Sequence, residues 1–502
     1  MKAVYRAVAL ILALTGFAWV SPCTAANTTT IYEFKGGDDG AWPYAGLLEY
    51  KGEFYGTTWA GGTSDLGTIF KLTPPPAGHN LWTKTVLHNF LGITNGDFDG
   101  AHPWGGLIYD GNDGKFYGTT EQGGRLGYGS IFALVPPANP QGEWYEAAIY
   151  SFCSMPGCED GTDPHASLLL GADGALYGTT SKGGPYYGGY GTAFRLKYGE
   201  DKLFRVIYNF CTVGYYCLDG YNSVSELIAD KQGALYGTTQ NGGNGHGNSG
   251  IAFKLTQPAA GAGLWTQTVL HNFCSNESEV CEDGNTPLTA LVFDTQGILY
   301  GTTSDGGTFD DGPPPANSCG GTVFKLTPPG NGATGWTHNV THTFSTGLIG
   351  CSPSSALIVD SQNNLYGTNY SGGSRSGGLG VGAVFKLGPP RYGTHRTATL
   401  LANFVDNNDD PDTNRYPAGP VILYQGALYG TTAFGISDGP SASCSNAFTG
   451  TTGCGSIFKV SLGTGAPKPT GGGRLSEPHG SGDDGVPAPP TVPGGTTAGA
   501  GE

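Results

Sequence analysis

The sequence is poor in charge: only 13% of its 502 residues are Asp, Glu, Lys or Arg, and the 24 basic residues are outnumbered by 40 acidic ones. At a formal net charge of −16 there is no basic stripe for a phosphate backbone or an anionic bilayer to grip, so nucleic acid is not an expected partner. Past residue 26 no apolar run approaches the roughly 20 residues that cross a bilayer as a helix, so no transmembrane segment is expected in the mature chain. No window keeps an apolar period of 3.6, which argues against a helical fold. No Gly-x-Ser-x-Gly elbow stands between a strand and a helix, and no His-Glu-x-x-His pair occurs, so the chemistries those motifs carry have no foothold.

What is abundant is glycine, 88 residues, together with 12% aromatics. The glycines sit at fixed offsets inside a repeated phrase. Leu235-Tyr236-Gly237-Thr238-Thr239, then Gly242-Gly243, then Ala252-Phe253-Lys254-Leu255, is one of seven copies, whose Tyr-Gly-Thr cores begin at Tyr55, Tyr117, Tyr177, Tyr236, Tyr300, Tyr366 and Tyr429. Each copy carries four short segments rich in β-branched and aromatic residues, separated by turn signals. Four strands in each of seven units, about 28 in all, is the count of a seven-bladed β-propeller, all-β with four antiparallel strands per blade. The chain opens on an isolated first segment, Ile31-Tyr32-Glu33-Phe34, and ends its last repeat on a fourth, Ser456 to Val460. The N-terminal strand is therefore expected to close the last blade, leaving no exposed edge.

Domain limits follow from composition. Residues 1–26 carry Lys2 and Arg6, an apolar stretch from Ala7 to Val20 and a small-residue end at Ala25-Ala26, the pattern of a secretory signal peptide. The propeller is assigned to residues 27–465, and the Pro- and Gly-rich residues 466–502 read as a disordered tail. Without Cys23 the mature chain has ten cysteines, an even number in an exported chain. Spacing pairs Cys153 with Cys158, Cys211 with Cys217, Cys274 with Cys281 and Cys444 with Cys454, leaving Cys319 for Cys351. A secreted, periplasmic or cell-surface location follows, and the chain reads as a monomer.

Strand alternation places the loops between segments one and two, and between three and four, on one face. The first set carries Asp-Gly elements with a proline three residues later, at Asp39, Asp99, Asp160 and Asp283; the second carries paired glycines such as Gly61-Gly62. The repeated phrase resembles the GloVer tandem repeat of bacterial exported proteins over residues 31 to about 462. That resemblance implies a propeller and implies no catalytic residues. Many members carry a C-terminal sorting or anchoring segment, whereas the tail here has no hydrophobic anchor.

Candidate chemistry gathers on the loop face. Asp99, Asp160, Asp283 and Trp104 are the expected ligand-binding residues. Asp99, His102, Asp160, Asp163 and His165 form the candidate catalytic set, because a His beside carboxylates can act as general acid or base. Asp406, Asp409, Asp410 and Asp412 offer closely spaced oxygens for calcium, the one cofactor considered. The leading expectation is an exported propeller that binds a glycan or an extracellular protein on this acidic face. A propeller glycosidase or polysaccharide lyase and a structural cell-surface module are the alternatives.

Overall fold

The computed structural model describes residues 28–463 except 77–80, 95–96, 140–141, 186–188, 199–202, 245–247, 260–262, 276–280, 309–319, 331–334, 346–348, 373–380, 391, 405–413, 436–443 and 445–452. The assigned leader and tail, the calcium candidates Asp406, Asp409, Asp410 and Asp412, and Cys319 lie outside the described residues. Among those residues there is no α-helix, and no helix long and apolar enough to cross a membrane. The strands form seven antiparallel blades. In the first, Leu48–Tyr50, Glu53–Thr58, Thr68–Thr73 and Thr83–Asn89 run from the axis outward, so a blade takes three strands from one repeat and its outer strand from the next.

The last blade borrows its outer strand from the N-terminus. Thr28–Glu33 pairs with Ser456–Ser461, from Thr28 opposite Val460 to Glu33 opposite Ser456. The closure expected from the two chain ends is thus what the structure shows.

Each letter of the repeated phrase has a physical job. A Cβ on Gly56 would meet the Phe70 ring at 2.6 Å, and a Cβ on the equivalent glycine of every other repeat would meet its Phe at 2.5–2.8 Å. The glycine lets the Phe of the fourth segment lie flat across the third strand. The first threonine reaches into the neighbouring blade: Thr57 Oγ1 donates to Gly105 O at 3.2 Å, and at the closing boundary Thr431 donates to Ala45 O at 3.0 Å. The second ties its own blade together, as Thr58 does with Thr68 at 2.8 Å.

Paired glycines are required where two loops of one repeat meet backbone to backbone. A Cβ on Gly61 would lie 2.4 Å from the Gly40 Cα, and a Cβ on Gly183 would lie 2.6 Å from the Gly161 Cα. The bridges Ala41 to Ala60 and Thr162 to Lys182 lace the same two loops. This confirms that they share one face.

The four short cysteine pairs Cys153–Cys158, Cys211–Cys217, Cys274–Cys281 and Cys444–Cys454 are formed as the spacing predicts. Cys351 is also in a disulfide. The core is a series of apolar clusters between adjacent blades, each mixing residues of two neighbouring repeats.

Because the outer strand of the last blade is also the chain's first, removing residues 27–36 exposes the edge of Ser456–Ser461. The expected result is a fall of several degrees or more in melting temperature, with unchanged melting as the contrary outcome. A second expectation concerns acid. Burial holds the His338 imidazole down at about 3, with His271 adding to the effect and Asp283 opposing it. Burial likewise lowers His342 to about 4, opposed by the backbone of Arg396 and assisted by His395. Unfolded histidines take up protons near 6.5, so the unfolded state binds them first and stability falls as pH drops below that value. The slope approaches about 1.4 kcal/mol per pH unit for each histidine. Replacing His338 by glutamine, the residue at the equivalent Gln267, should remove about one proton from the pH dependence of unfolding between pH 6 and 4. An unaltered dependence would contradict the assignment.

Candidate functional site

The axis is open on the loop face, where a cavity of about 110 Å³ is lined by one short segment from each repeat. In each segment the residue after the proline, or after its substitute Ser223, faces the cavity: Tyr44, Trp104, His165, Val224, Leu288, Ser354 and Ala418. The residue before it is left-handed in all seven repeats, at Trp42, His102, Asp163, Asn222, Thr286, Ser352 and Tyr416, with φ between 53° and 58°. A third variable position follows the Thr-Thr pair or its equivalent, at Trp59, Glu121, Ser181, Gln240, Ser304, Tyr370 and Ala433. The other lining residues are mostly small, with Glu226 and Pro420 as the exceptions, so the large side chains of the mouth are set by what occupies these three positions.

Occupancy is uneven. The fourth and fifth repeats place Asn222, Val224, Gln240, Thr286, Leu288 and Ser304 there, a set without rings or charge. The sixth, seventh, first, second and third form a connected aromatic arc. Tyr370 lies 4.7 Å from Tyr416, and Phe434 backs Tyr416, Trp42 and Tyr44 at 5.8, 6.4 and 6.4 Å. Tyr44 stacks on Trp104 at 4.5 Å with planes 11° apart, Trp42 meets Trp59 at 5.7 Å, and Trp59 stacks on His102 at 4.1 Å. Trp104 keeps 40% of its surface exposed.

Polar groups are held within this arc. Glu121 accepts from the Trp59 indole N–H at 3.2 Å and lies 3.4 Å from His165 Nε2. Burial alone would raise its carboxyl, but the contacts from His165, Trp59 and His102 outweigh that and hold it below the ordinary glutamate range. His102 Nδ1 is 2.9 Å from the Trp59 carbonyl. This makes Nδ1 the protonated nitrogen and leaves the lone pair of the neutral ring on Nε2. Burial, with Tyr370 nearby, pushes the Tyr44 hydroxyl up to about 12, so it remains a donor at physiological pH. Asp163 pairs with the exposed Lys182 at 2.8 Å.

The expected site residues divide into two groups. His102, Asp163, His165 and Trp104 gather at the axial mouth. Asp99, Asp160 and Asp283 do not join them, because each is an acceptor inside its own loop, the first two buried and Asp283 partly so. Asp160 is wholly buried and takes the Ser154 and Met155 N–H groups and the Tyr150 hydroxyl. Asp99 takes Leu91 N–H and Gly100 N–H, and Asp283 takes Cys274 N–H and lies 2.9 Å from His271 Nε2. An aspartate that opens a tight loop needs its oxygens for that loop's orphan amides. Glu121, Trp59, Trp42 and Tyr44 were not singled out from sequence. The signal that finds them is variation between repeats beside invariant residues.

A model of the Gloeobacter/Verrucomicrobia repeat matches residues 17–157 and 83–313. No curated protein matches the sequence. Among solved structures, the polysaccharide lyase Uly1 is similar at 12% identity and a TM-score of 0.40, over 85% of this chain and 90% of that one. An ancestral GH74 enzyme is similar at 11% identity and 0.45, over 86% and 52%. A hypothetical selenium-binding protein from Sulfolobus tokodaii is similar at 10% and 0.44, over 79% and 83%.

The buried aspartates should behave as structural residues. Asp160→Ala leaves two loop amides and a tyrosine hydroxyl without their acceptor, at a cost of about 2–4 kcal/mol. Chemical denaturation should show that loss. A variant as stable as the wild type would return Asp160 to the candidate site.

Proposed function

This chain belongs to the Gloeobacter/Verrucomicrobia repeat family, and from the positions at which its repeats differ we propose that it is an exported protein that binds a glycan across the axial mouth. The observation that carries this reading is the confinement of Trp42, Tyr44, Trp59, Trp104, Tyr370 and Tyr416 to one arc of the mouth. Sugar rings present apolar C–H faces that pack on flat aromatic surfaces, while their hydroxyls need fixed donors and acceptors. Glu121 and the Tyr44 hydroxyl supply an acceptor and a donor whose protonation does not change near neutral pH. Export is supported by the leader-like N-terminus and by the disulfides, which persist in oxidising compartments. Calcium at Asp406, Asp409, Asp410 and Asp412 is a separate proposal that rests on sequence alone.

One observation favours a second reading. The Glu121–His165 pair sits beside the cavity with a carboxylate and an imidazole in contact, the minimum for proton transfer to or from a bound sugar. A glycosidase or lyase would use those two residues and not Asp99 or Asp160.

A panel of polysaccharides, scored for both retention and released product, separates the readings. Trp104→Ala and Trp59→Ala should each weaken retention at least tenfold, about 1.4 kcal/mol, without lowering the melting temperature by more than a few degrees. Retention that survives both substitutions would remove the glycan site from the axis. Product release abolished by Glu121→Gln would establish the enzymatic reading.

A further inference from the structure

A second constellation lies between the blades. Each Asp-Gly aspartate of the first five repeats meets a side chain from its own repeat's outer strand, two residues before the closing Phe, and the second residue of the next blade's outer strand packs against this pair. In the first repeat these are Tyr32, whose hydroxyl donates to Asp39 at 2.5 Å, and Lys84, whose Nζ lies 3.1 Å from the same carboxylate with its side chain almost wholly buried. In the third, Tyr150 donates to Asp160 and carries Phe204 stacked at 3.9 Å. In the fourth, Tyr208 donates to Asp219, and Gln267 donates to the aspartate's backbone carbonyl. In the fifth, His271 contacts Asp283 and carries His338 stacked at 3.8 Å. The variable partner is therefore an ammonium, a ring or an amide donor.

The second repeat breaks this pattern. There the aspartate is Asp99, the strand residue is His88 and the variable partner is Glu146. His88 Nε2 lies 3.0 Å from Asp99 Oδ2 and 3.7 Å from Glu146 Oε2, and the three ligand atoms fall within 4.8 Å of one another. The carboxylate side chains are 9% and 5% exposed, and Glu146 Oε1 is buried without a hydrogen-bond partner. Two buried carboxylates side by side repel and are poorly solvated unless a cation or a shared proton joins them. In the first repeat the Lys84 ammonium fills that need; in the second the chain provides another carboxylate instead.

We propose that His88, Asp99 and Glu146 bind a divalent transition-metal ion, zinc by preference, that staples the first blade to the second. Separations of 3.0 and 3.7 Å suit ligands sharing one ion at bond lengths of about 2.0–2.2 Å, and one imidazole with two carboxylates is a donor set zinc accepts, water completing the tetrahedron. Calcium, which takes six to eight oxygens, is poorly served by an imidazole and so few donors. The ion would neutralise the pair and pin the loop that continues from Asp99 into His102 and Trp104.

The test uses the mature protein, stripped with chelator and titrated with zinc chloride by calorimetry, with metal content read by mass spectrometry. One equivalent is expected, together with a zinc-dependent rise in melting temperature. Glu146→Gln should weaken that binding at least thirtyfold. Glu146→Lys, which copies the first repeat, should melt at the same temperature with and without zinc. Equal zinc binding by wild type and Glu146→Gln, or no stoichiometric zinc in the wild type, would overturn the proposal; the Asp99–Glu146 pair would then be neutralised by a shared proton.

Discussion

At each of the seven blade boundaries one backbone hydrogen bond is made by a residue in an unfavourable conformation. Trp42, His102, Asp163, Asn222, Thr286, Ser352 and Tyr416 each donate their N–H to a carbonyl of the preceding blade, at 2.7–3.1 Å. A left-handed conformation costs a non-glycine residue about 1–2 kcal/mol, yet it appears at every boundary. The following proline explains part of this. Its ring packs on a glycine of the preceding blade, as Pro103 does at Gly67 and Pro164 at Gly129. Chain reversal, interblade hydrogen bond and proline contact are thus one device. At the closing boundary Trp42 donates to Cys454 O at 2.8 Å, so the ring is completed by the same bond that joins every other pair of blades.

This device also explains what sequence could reveal. The fold was legible because its determinants recur: the glycine under the Phe ring, the two threonines and the paired glycines stand at the same offsets in nearly every repeat, and a recurring residue is a scaffold residue. The Asp-Gly elements recur for that reason too. Their turn chemistry was readable, but reading Asp99, Asp160 and Asp283 as ligand groups required exposed carboxylates, and exposure is a tertiary property. The same proline that reads as a turn former is, in the structure, an interblade contact.

The candidate site was half legible for the complementary reason. His102 and His165 stand out as rare residues in a loop, and Trp104 as a large ring. Glu121 follows a Thr-Thr pair found in six of the seven repeats and looks like any surface glutamate until the fold carries it to His165 and to Trp59 from the preceding repeat. Tyr44 stacks on Trp104 across sixty residues of chain. No local pattern encodes such pairings; only the propeller's angular repeat does.

A consequence follows from where the arc falls. It runs from the sixth repeat through the seventh and the first to the third, and so crosses the boundary where the N-terminal strand closes the ring. Trp42 belongs to both systems: its backbone N–H makes the closing bond, and its indole donates to Gly453 O while stacking toward Trp59. A ligand spanning Tyr416 on one side of that boundary and Trp42 and Tyr44 on the other would contact residues that the open ring separates. Such a ligand would favour the closed state, and by linkage its binding free energy would be added to closure. Left-handed residues at the mouth thus help to hold the blades together and set the side chains that line it.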